Sequence, residues 1–479
     1  MQREFSINIL FLIGINLLIK PFFIFGIDRV VQNVVGTETY GVYFALLNFT
    51  YLLQIINDFG IQNFNNREIA RHNQLIHKYF PNILALKGLL SLVFLLAVFL
   101  TGWLAGYSAA YFHLLFFLAL NQIFISLIFF VRSNISGLGL YRVDSFLSAT
   151  DKFLMIIFCG ALIWTPVFRD NFQIEWFIYA QSAALLITVL IGFFILKNRV
   201  RVFSFQFRLP LLWIILKKSY PFALVILLMT IYTRIDAVML ERLLPDGSYH
   251  AGVYGAAYRF LDAANMIGFL FASLLLPMFS KMLKEGKSGA SLVRHSFQMI
   301  WAGAITLSVA VYFYKNEIMD LLYHESNEYF GEVLGWLMFS FIAVAGSYIY
   351  GTLLTANGSL MKMNRIFIGS IVLNIVLNLW WIPLYQAQGA AIATLITQSL
   401  VFLAEAGLSQ KEIKWLRTDP VLIFKMTAFF SLCFGFSWWL KTGGMFEWQT
   451  GFFVSAGFCM ILAFLLKMLD FKSLFNENK

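Results

Sequence analysis

Four basic residues stand within or at the ends of apolar stretches that are long enough to cross a lipid bilayer. They are Lys20, Arg29, Arg234 and Arg259. Charge at membrane depth is costly, so such residues are functional-site candidates by default. Arginine binds phosphate through parallel N–H donors, and lysine binds it as a compact charge. The pattern predicts a site for an anionic, phosphate-bearing group, formed by two cations from each half of the chain.

The two cations of the first half also have structural interpretations. Lys20 is followed by Pro21, and a helix break near mid-membrane is tolerated only where it lines protein or water. Arg29 follows Asp28 and can either pair with it or extend to the outer surface. Both the cavity role and the structural role stay open for these residues.

The two arginines of the second half lie near acidic residues. Arg234 can be neutralised by Asp236 or by Asp262. Arg259 and Asp262 are three residues apart, a spacing that brings side chains together on one helix face. A structural ion pair is therefore the alternative to a cavity role.

Embedded carboxylates form a second set of candidates. Asp58, Asp236 and Asp262 can pair with the cations or carry a coupling proton or Na⁺, because burial and neighbours shift carboxylate pKa values. The same applies to Asp151 beside Lys152 and to Glu405. For Asp58, which follows Asn57 near a predicted cytoplasmic end, a solvated helix-end acid is the simpler interpretation. Lys87 and Lys425 lie about one turn inside their predicted helices and are expected to extend to the interface.

The composition is that of an integral membrane protein. The chain is 60% hydrophobic, only 13% charged and has a mean hydropathy of +0.76, whereas a soluble domain is about 25% charged. The positive residues are concentrated in short loops, which argues against nucleic-acid binding despite the net charge of +10. The six histidines lack metal-ligand spacing, and no phosphate-binding loop is present, so no cofactor is expected.

The elements that must position these residues are membrane-spanning helices. Apolar runs of about 20 residues cross the hydrocarbon core, and their number predicts an all-α membrane protein with about fourteen spans. The predicted spans are 7–31, 41–60, 82–105, 111–132, 144–166, 173–197, 217–241, 251–279, 297–315, 332–356, 366–384, 387–409, 421–441 and 449–469.

The distribution of basic residues supports this count. Of the 35 Lys and Arg residues, 24 fall in the terminal segments and loops on one side and five on the other side. Positive residues concentrate on the cytoplasmic side. We therefore expect a multi-pass protein of the bacterial inner membrane with both termini in the cytoplasm.

An internal repeat divides the chain. GTETYGVYF at 36–44 resembles HAGVYGAAY at 250–258, and similar apolar segments precede both. The repeat predicts two pseudo-symmetric six-helix lobes, 1–198 and 217–409, which share an orientation because six is even. A cytoplasmic amphipathic linker at 199–216 and two further helices within 410–479 complete the predicted organisation.

Four motifs in order resemble a known family. They are the Gly-x-x-x-Tyr-Gly-x-Tyr of 36–43, GVYGAAYR at 252–259, NIVLNLWWIPLY at 374–385 and GAAIATLITQ at 389–398. Together they are similar to the polysaccharide transporters, the Wzx-type O-antigen and exopolysaccharide flippases, of the multidrug/oligosaccharidyl-lipid/polysaccharide (MOP) superfamily. The resemblance runs from about residue 5 to 410. It implies alternating-access translocation of an undecaprenyl-pyrophosphate-linked oligosaccharide between leaflets, without enzymatic chemistry.

The resemblance also carries expectations about residues and partners. In related lipid II flippases, cations on the first, second and eighth helices face the cavity. Arg29 and Arg259 match two of these positions, but the second helix here has Asp58 instead of a cation. The implied partners are the lipid-linked glycan, membrane lipid, a polysaccharide polymerase and a chain-length regulator.

Two alternatives remain open. A cation-coupled multidrug exporter would favour an acidic cavity. A polysaccharide polymerase or ligase would favour a long external loop, whereas the longest one here has about 17 residues.

Overall fold

The computed structural model describes residues 14–169, 171–197, 207–417 and 419–469, and these residues are almost entirely helical. The predicted span at 7–31 falls partly outside the described residues, as do part of the 199–216 linker and the end of the chain. We number the helices as follows: α1 (14–35), α2 (Thr37–Asp58), α3 (Ile61–Arg71), α4 (Ile76–Leu104), α5 (Ala109–Gly137), α6 (Tyr141–Trp164), α7 (Ile174–Leu196), α8 (Leu209–Leu243), α9 (Gly247–Lys284), α10 (Ala290–Phe313), α11 (Lys315–Leu322), α12 (Glu328–Ala356), α13 (Leu360–Glu412), α14 (Pro420–Thr442) and α15 (Trp448–Leu465).

The described helices confirm the predicted all-α membrane fold. Twelve of them are long and apolar enough to cross a bilayer. The 53-residue α13 is two helices joined at Gln386, and α1 overlaps the first predicted span over residues 14–31. The count of fourteen crossings stays a prediction, because α1 is not among the twelve candidate spans of the described residues.

The first helix changes its winding immediately after Pro21. Residues Phe23–Asp28 form a π-helical segment, and the backbone N–H of Arg29 donates to the carbonyl of Ile24, five residues earlier. Proline supplies no N–H to the helix ladder, and wide turns of this kind occur frequently at functional sites. The break that the Lys20-Pro21 pair suggested is therefore a local rewinding within a continuous helix.

The break in α13 has a different form. Gln386 has φ 54° and ψ −132°, which turns the chain between two helices after Pro383. The backbone N–H of Ala387 donates to the Tyr329 hydroxyl at 2.7 Å. Gly389 is required here, because a Cβ at this position would lie 2.4 Å from the Trp381 carbonyl oxygen. A hydroxyl and a glycine thus stabilise the reversal.

The described chain packs as two compact units. The first comprises Met1–Arg242 and Asp246–Gly252, and the second comprises Leu243–Pro245 and Val253–Lys479. Helix α8 belongs to the first unit, because Leu212 and Ile215 are buried in its apolar core. The predicted lobes follow the sequence repeat instead, and they stay a prediction.

Four predicted helix starts are too late by six to eight residues, including those of α10, which begins at Ala290, and α13, which begins at Leu360. Helix α4 begins at Ile76 rather than at 82, and α8 begins at Leu209 rather than at 217. Both helices start before a proline, Pro81 in α4 and Pro210 in α8. Residues 209–216 of the predicted linker are therefore helical, and Lys87 lies about three turns inside α4.

Candidate functional site

A buried ion pair lies in the first unit between α2 and α4. Lys87 Nζ donates to Asp58 Oδ1 at 2.8 Å and to Ser126 Oγ of α5 at 2.5 Å. Lys87 is 1% exposed and Asp58 is 7% exposed. The expectations that Lys87 extends to the interface and that Asp58 is a solvated helix-end acid are both wrong. Burial of the two charges is tolerated because they neutralise each other.

Neighbouring polar side chains hold this pair in place. Asn57 Nδ2 donates to the backbone carbonyl of Gln122 at 3.1 Å, and Ser91 Oγ donates to Asn57 Oδ1 at 3.0 Å. Asp58 Oδ2 is buried and accepts no hydrogen bond from the described residues. The α2, α4 and α5 helices are therefore joined by a polar network that leaves one carboxylate oxygen uncommitted.

A small cavity of about 60 Å³ adjoins Asp58. Tyr51, Gln54 and Gln62 contribute to its lining, as does Thr230 of α8. This volume is large enough for water. Polar side chains around a carboxylate make this a hydrophilic cavity of the first unit.

Arg234 approaches the same region through Tyr51. Its guanidinium carbon lies 5.4 Å from the centre of the Tyr51 ring, within cation–π distance. The positive charge of Arg234 thus lies over one face of the Tyr51 ring, which also lines the cavity. The structure brings predicted candidates Arg234 and Asp58 to one polar region of the first unit.

The predicted cations of α1 lie elsewhere in the first unit. The Asn16 amide donates to Ser148 Oγ at 2.9 Å, so the Lys20 end of α1 packs on α6. Further along α1, Lys152 lies 4.7 Å from the centre of the Phe23 ring and 3.3 Å from Asp151. Lys20 is half-buried beside this charged pair on the first unit's helices.

The far end of α1 is anchored through Asp28. The Tyr40 hydroxyl donates to Asp28 Oδ2 at 2.7 Å, and both residues are buried. Arg29 follows as a half-buried residue at the end of the π-helical segment. The acid that was an alternative partner for Arg29 is thus engaged by a tyrosine of α2.

The remaining candidates lie on α8 and α9. Asp236 is buried in the first unit. In the second unit, Arg259 Nη1 lies 3.4 Å from Asp262 Oδ2, with 14% of the arginine side chain exposed. The predicted (i, i+3) pair of Arg259 and Asp262 therefore forms. Convergence of all four cations on one cavity stays a prediction.

Arg242 and Glu241 form a charged pair beside Tyr107 in the first unit. The Arg242 guanidinium lies 3.5 Å from the centre of the Tyr107 ring and pairs with Glu241 at 2.7 Å. Burial, reinforced by the Glu241 carboxylate, raises the pKa of Tyr107 to about 12. This phenol therefore stays neutral in the physiological range.

The motifs that carried the resemblance meet in the second unit. The hydroxyls of Tyr254 and Thr394 are 3.2 Å apart, and Asn378 Nδ2 donates to Asn374 Oδ1 at 3.1 Å. All four residues are buried. The motif residues of α9 and α13 thus contribute polar contacts to the interior of this unit.

A larger cavity of about 820 Å³ lies elsewhere in the second unit. Its lining includes the aromatic residues Phe297, Trp301, Tyr350, Phe402 and Trp415, and none of the seven predicted site residues. No cluster of metal-ligating side chains occurs among the described residues.

Sequence reasoning missed the Asp58–Lys87 pair. The two residues are 29 positions apart, on different helices, and no local pattern joins them. Two opposite charges in neighbouring spans were the available signal, because an embedded lysine requires a partner unless it reaches the interface.

Solved structures with the same fold are MOP-superfamily transporters. The lipid II flippase MurJ, in an inward closed conformation, matches with a TM-score of 0.71 at 16% identity over 99% of this chain and 100% of its own. An inward-facing multidrug resistance MATE family transporter of the MOP superfamily matches with a TM-score of 0.62 at 14% identity, over 82% of this chain and 94% of its own. A MOP-superfamily transporter from Pyrococcus furiosus matches with a TM-score of 0.56 at 13% identity, over 86% of this chain and 95% of its own. These identities establish the fold alone.

Sequence similarity defines the family. Residues 7–283 match the family described as Polysaccharide biosynthesis protein, and the chain belongs to this family. An uncharacterized membrane protein of Methanocaldococcus jannaschii is 25% identical over 405 residues, which cover 77% of this chain and 89% of that protein. The predicted family resemblance is confirmed: this is a multi-pass membrane protein of the Polysaccharide biosynthesis protein family, and its fold is the one found in solved MOP-superfamily transporters.

Proposed function

We propose that the protein flips a polyprenyl-pyrophosphate-linked oligosaccharide from the cytoplasmic to the outer leaflet by alternating access. The observation that carries this proposal is the presence of arginines inside the spans of a polysaccharide biosynthesis transporter. Arg234 stacks on a cavity-lining tyrosine, and Arg259 is held by an acid on its own helix. A pyrophosphate loses its hydration within the membrane, and charge-assisted hydrogen bonds from such cations replace it.

The remaining roles follow from the chemistry of this substrate. Lys20 and Arg29 add positive charge from α1, while the polyprenyl chain stays in lipid. Asp236 and Asp262 hold arginines in position, and Asp58 neutralises Lys87. The glycan passes through a hydrated space, and glycan selectivity depends on the shape of that space.

We further propose that the chain lies in the cytoplasmic membrane with both termini in the cytoplasm. The excess of basic residues in the terminal segments and alternate loops supports this orientation. A reporter fused after Lys479 that is active only in the cytoplasm tests it. Activity of a reporter that functions only outside the membrane would contradict this orientation.

Transport is tested with purified protein in liposomes that contain a labelled polyprenyl-pyrophosphate oligosaccharide. An impermeant glycosidase reports how much glycan reaches the opposite leaflet. We expect Arg259→Gln and Arg234→Gln each to reduce the rate about tenfold or more, because a hydrogen bond to a charged group contributes about 1.5–3 kcal/mol. The exposed Arg365 provides a matched control, and Arg365→Gln is expected to keep the wild-type rate.

Two results would contradict the proposal. One is wild-type protein that moves a cationic drug but not the lipid-linked glycan, which would indicate a multidrug exporter. The other is transport by both arginine variants at the rate of the Arg365→Gln control.

A further inference from the structure

Glu405 is an acidic residue in the interior of the second unit. It lies on the second half of α13 and faces α12, with only 3% of its surface exposed. Its Oε2 atom is buried and has no hydrogen-bond partner among the described residues. A carboxyl group within a membrane helix is costly to keep, so it is a functional-site candidate.

The neighbouring helix leaves room for this carboxyl group. A Cβ atom at Gly351 of α12 would lie 3.0 Å from Glu405 Oε1, so the carboxyl packs directly on the backbone at the glycine. Ser347, one turn earlier on α12, brings its hydroxyl to the carboxyl group. The hydroxyl oxygen of Ser409, one turn further along α13, is also buried without a partner. Glu405 Oε2 and the hydroxyl oxygens of Ser347 and Ser409 are thus all buried with unsatisfied hydrogen-bonding capacity among the described residues.

No charged residue in the described part of the chain compensates Glu405. The charged residues on adjacent elements are engaged elsewhere, Arg294 with Asp419 at 2.9 Å and Lys362 with Glu412. No ion pair joins Glu405 to His295 of α10 or to Arg365 of α13 in the described part of the chain. An ionised carboxylate without a partner is strongly disfavoured in such surroundings, whereas a neutral carboxylic acid can donate to a serine hydroxyl.

We propose that Glu405 is a proton-binding site whose occupancy is linked to the packing of α12 against α13. The bound proton forms the neutral acid, which fits between the helices and donates a hydrogen bond. Release of the proton leaves an anion that requires water, and water reaches it only when the two helices separate. A metal cation would need more oxygen ligands than one carboxylate and two hydroxyls supply. This inference rests on the proposed transport function for its role, because the proton would supply the energy.

Infrared spectroscopy of the purified protein tests the site without any transport. We expect wild-type protein at neutral pH to show the carbonyl band of a protonated carboxylic acid, and Glu405→Gln to lose a band area of about one acid per chain. Glu412→Gln is the control, because Glu412 lies on the same helix in an ion pair with Lys362. An unchanged band in Glu405→Gln would overturn the proposal, as would stabilisation by NaCl of wild type but not of Glu405→Gln.

Transport in liposomes with an imposed pH gradient tests whether Glu405 couples transport to protons. We expect wild-type and Glu412→Gln protein to respond to the gradient and Glu405→Gln to lose the response completely. A Glu405→Gln protein that still responds would remove Glu405 from coupling. Absence of glycan transport by wild type would instead refute the proposed function, and the infrared result would still decide whether the proton site exists.

Discussion

Lys87 Nζ lies 2.8 Å from Asp58 Oδ1 in the interior of the first unit, and it also contacts Ser126. Removal of either charge leaves the other buried without compensation. We expect Lys87→Met to destabilise the protein by about 3–5 kcal/mol, whereas the double variant Lys87→Met with Asp58→Asn recovers most of the loss. Thermal unfolding in detergent measures both.

The partly exposed pair of Arg132 and Asp144 supplies the control for this prediction. Its atoms are 2.7 Å apart, but the two side chains are 24% and 16% exposed. Arg132→Met should therefore cost less, about 1 kcal/mol or below. An equal cost for the two single variants would mean that burial does not determine the strength of the Lys87 pair.

Gly41 and Gly252 allow α2 and the start of α9 to meet backbone to backbone. A Cβ at Gly41 would lie 1.8 Å from the Ser248 carbonyl oxygen, and one at Gly252 would lie 2.1 Å from that of Thr37. We expect Gly41→Ala and Gly252→Ala each to lower stability by at least about 1–3 kcal/mol, because backbone cannot yield as a side chain does. Gly88→Ala, with no atom within 4 Å of the added carbon, should instead be neutral or stabilising.

The Tyr51 ring is expected to position Arg234 for transport. Loss of a partly desolvated cation–π contact of about 1–2 kcal/mol corresponds to a reduction of roughly fivefold to thirtyfold. We predict that reduction for Tyr51→Ala in the liposome assay, while Tyr51→Phe keeps the wild-type rate. Equal rates for the alanine and phenylalanine variants would exclude the proposed positioning role.

Gln386 adopts a backbone conformation that favours glycine. With φ 54° and ψ −132°, this backbone conformation costs a non-glycine residue about 1–3 kcal/mol. We predict that Gln386→Gly raises the unfolding temperature. Gln398→Gly, at a regular helical position of α13, should lower the unfolding temperature. A lower unfolding temperature for both variants would show that the reversal tolerates glutamine without strain.

The spans were predictable because bilayer thickness and hydropathy determine their length and position. The helix starts were predicted less well, because polar and basic residues outside the apolar runs also belong to the first turns of α4 and α10. Contacts between distant residues were not predictable. Nothing near Asp58 specifies Lys87 as its partner, and nothing near Gln386 specifies that Tyr329 binds the next amide. Only the pair of Arg259 and Asp262, joined by helical periodicity, could be predicted from sequence spacing.

The π-helical segment of α1 changes the angle at which two basic residues project. Lys20 and Arg29 are nine residues apart, which is about 2.5 turns of regular α-helix, so the two side chains would point in opposite directions. The wider winding at Phe23–Asp28 absorbs about one extra residue. Their directions then differ by roughly a quarter turn instead of a half. Rewinding this one segment would swing one cation away from the other while the helix keeps its place in the membrane.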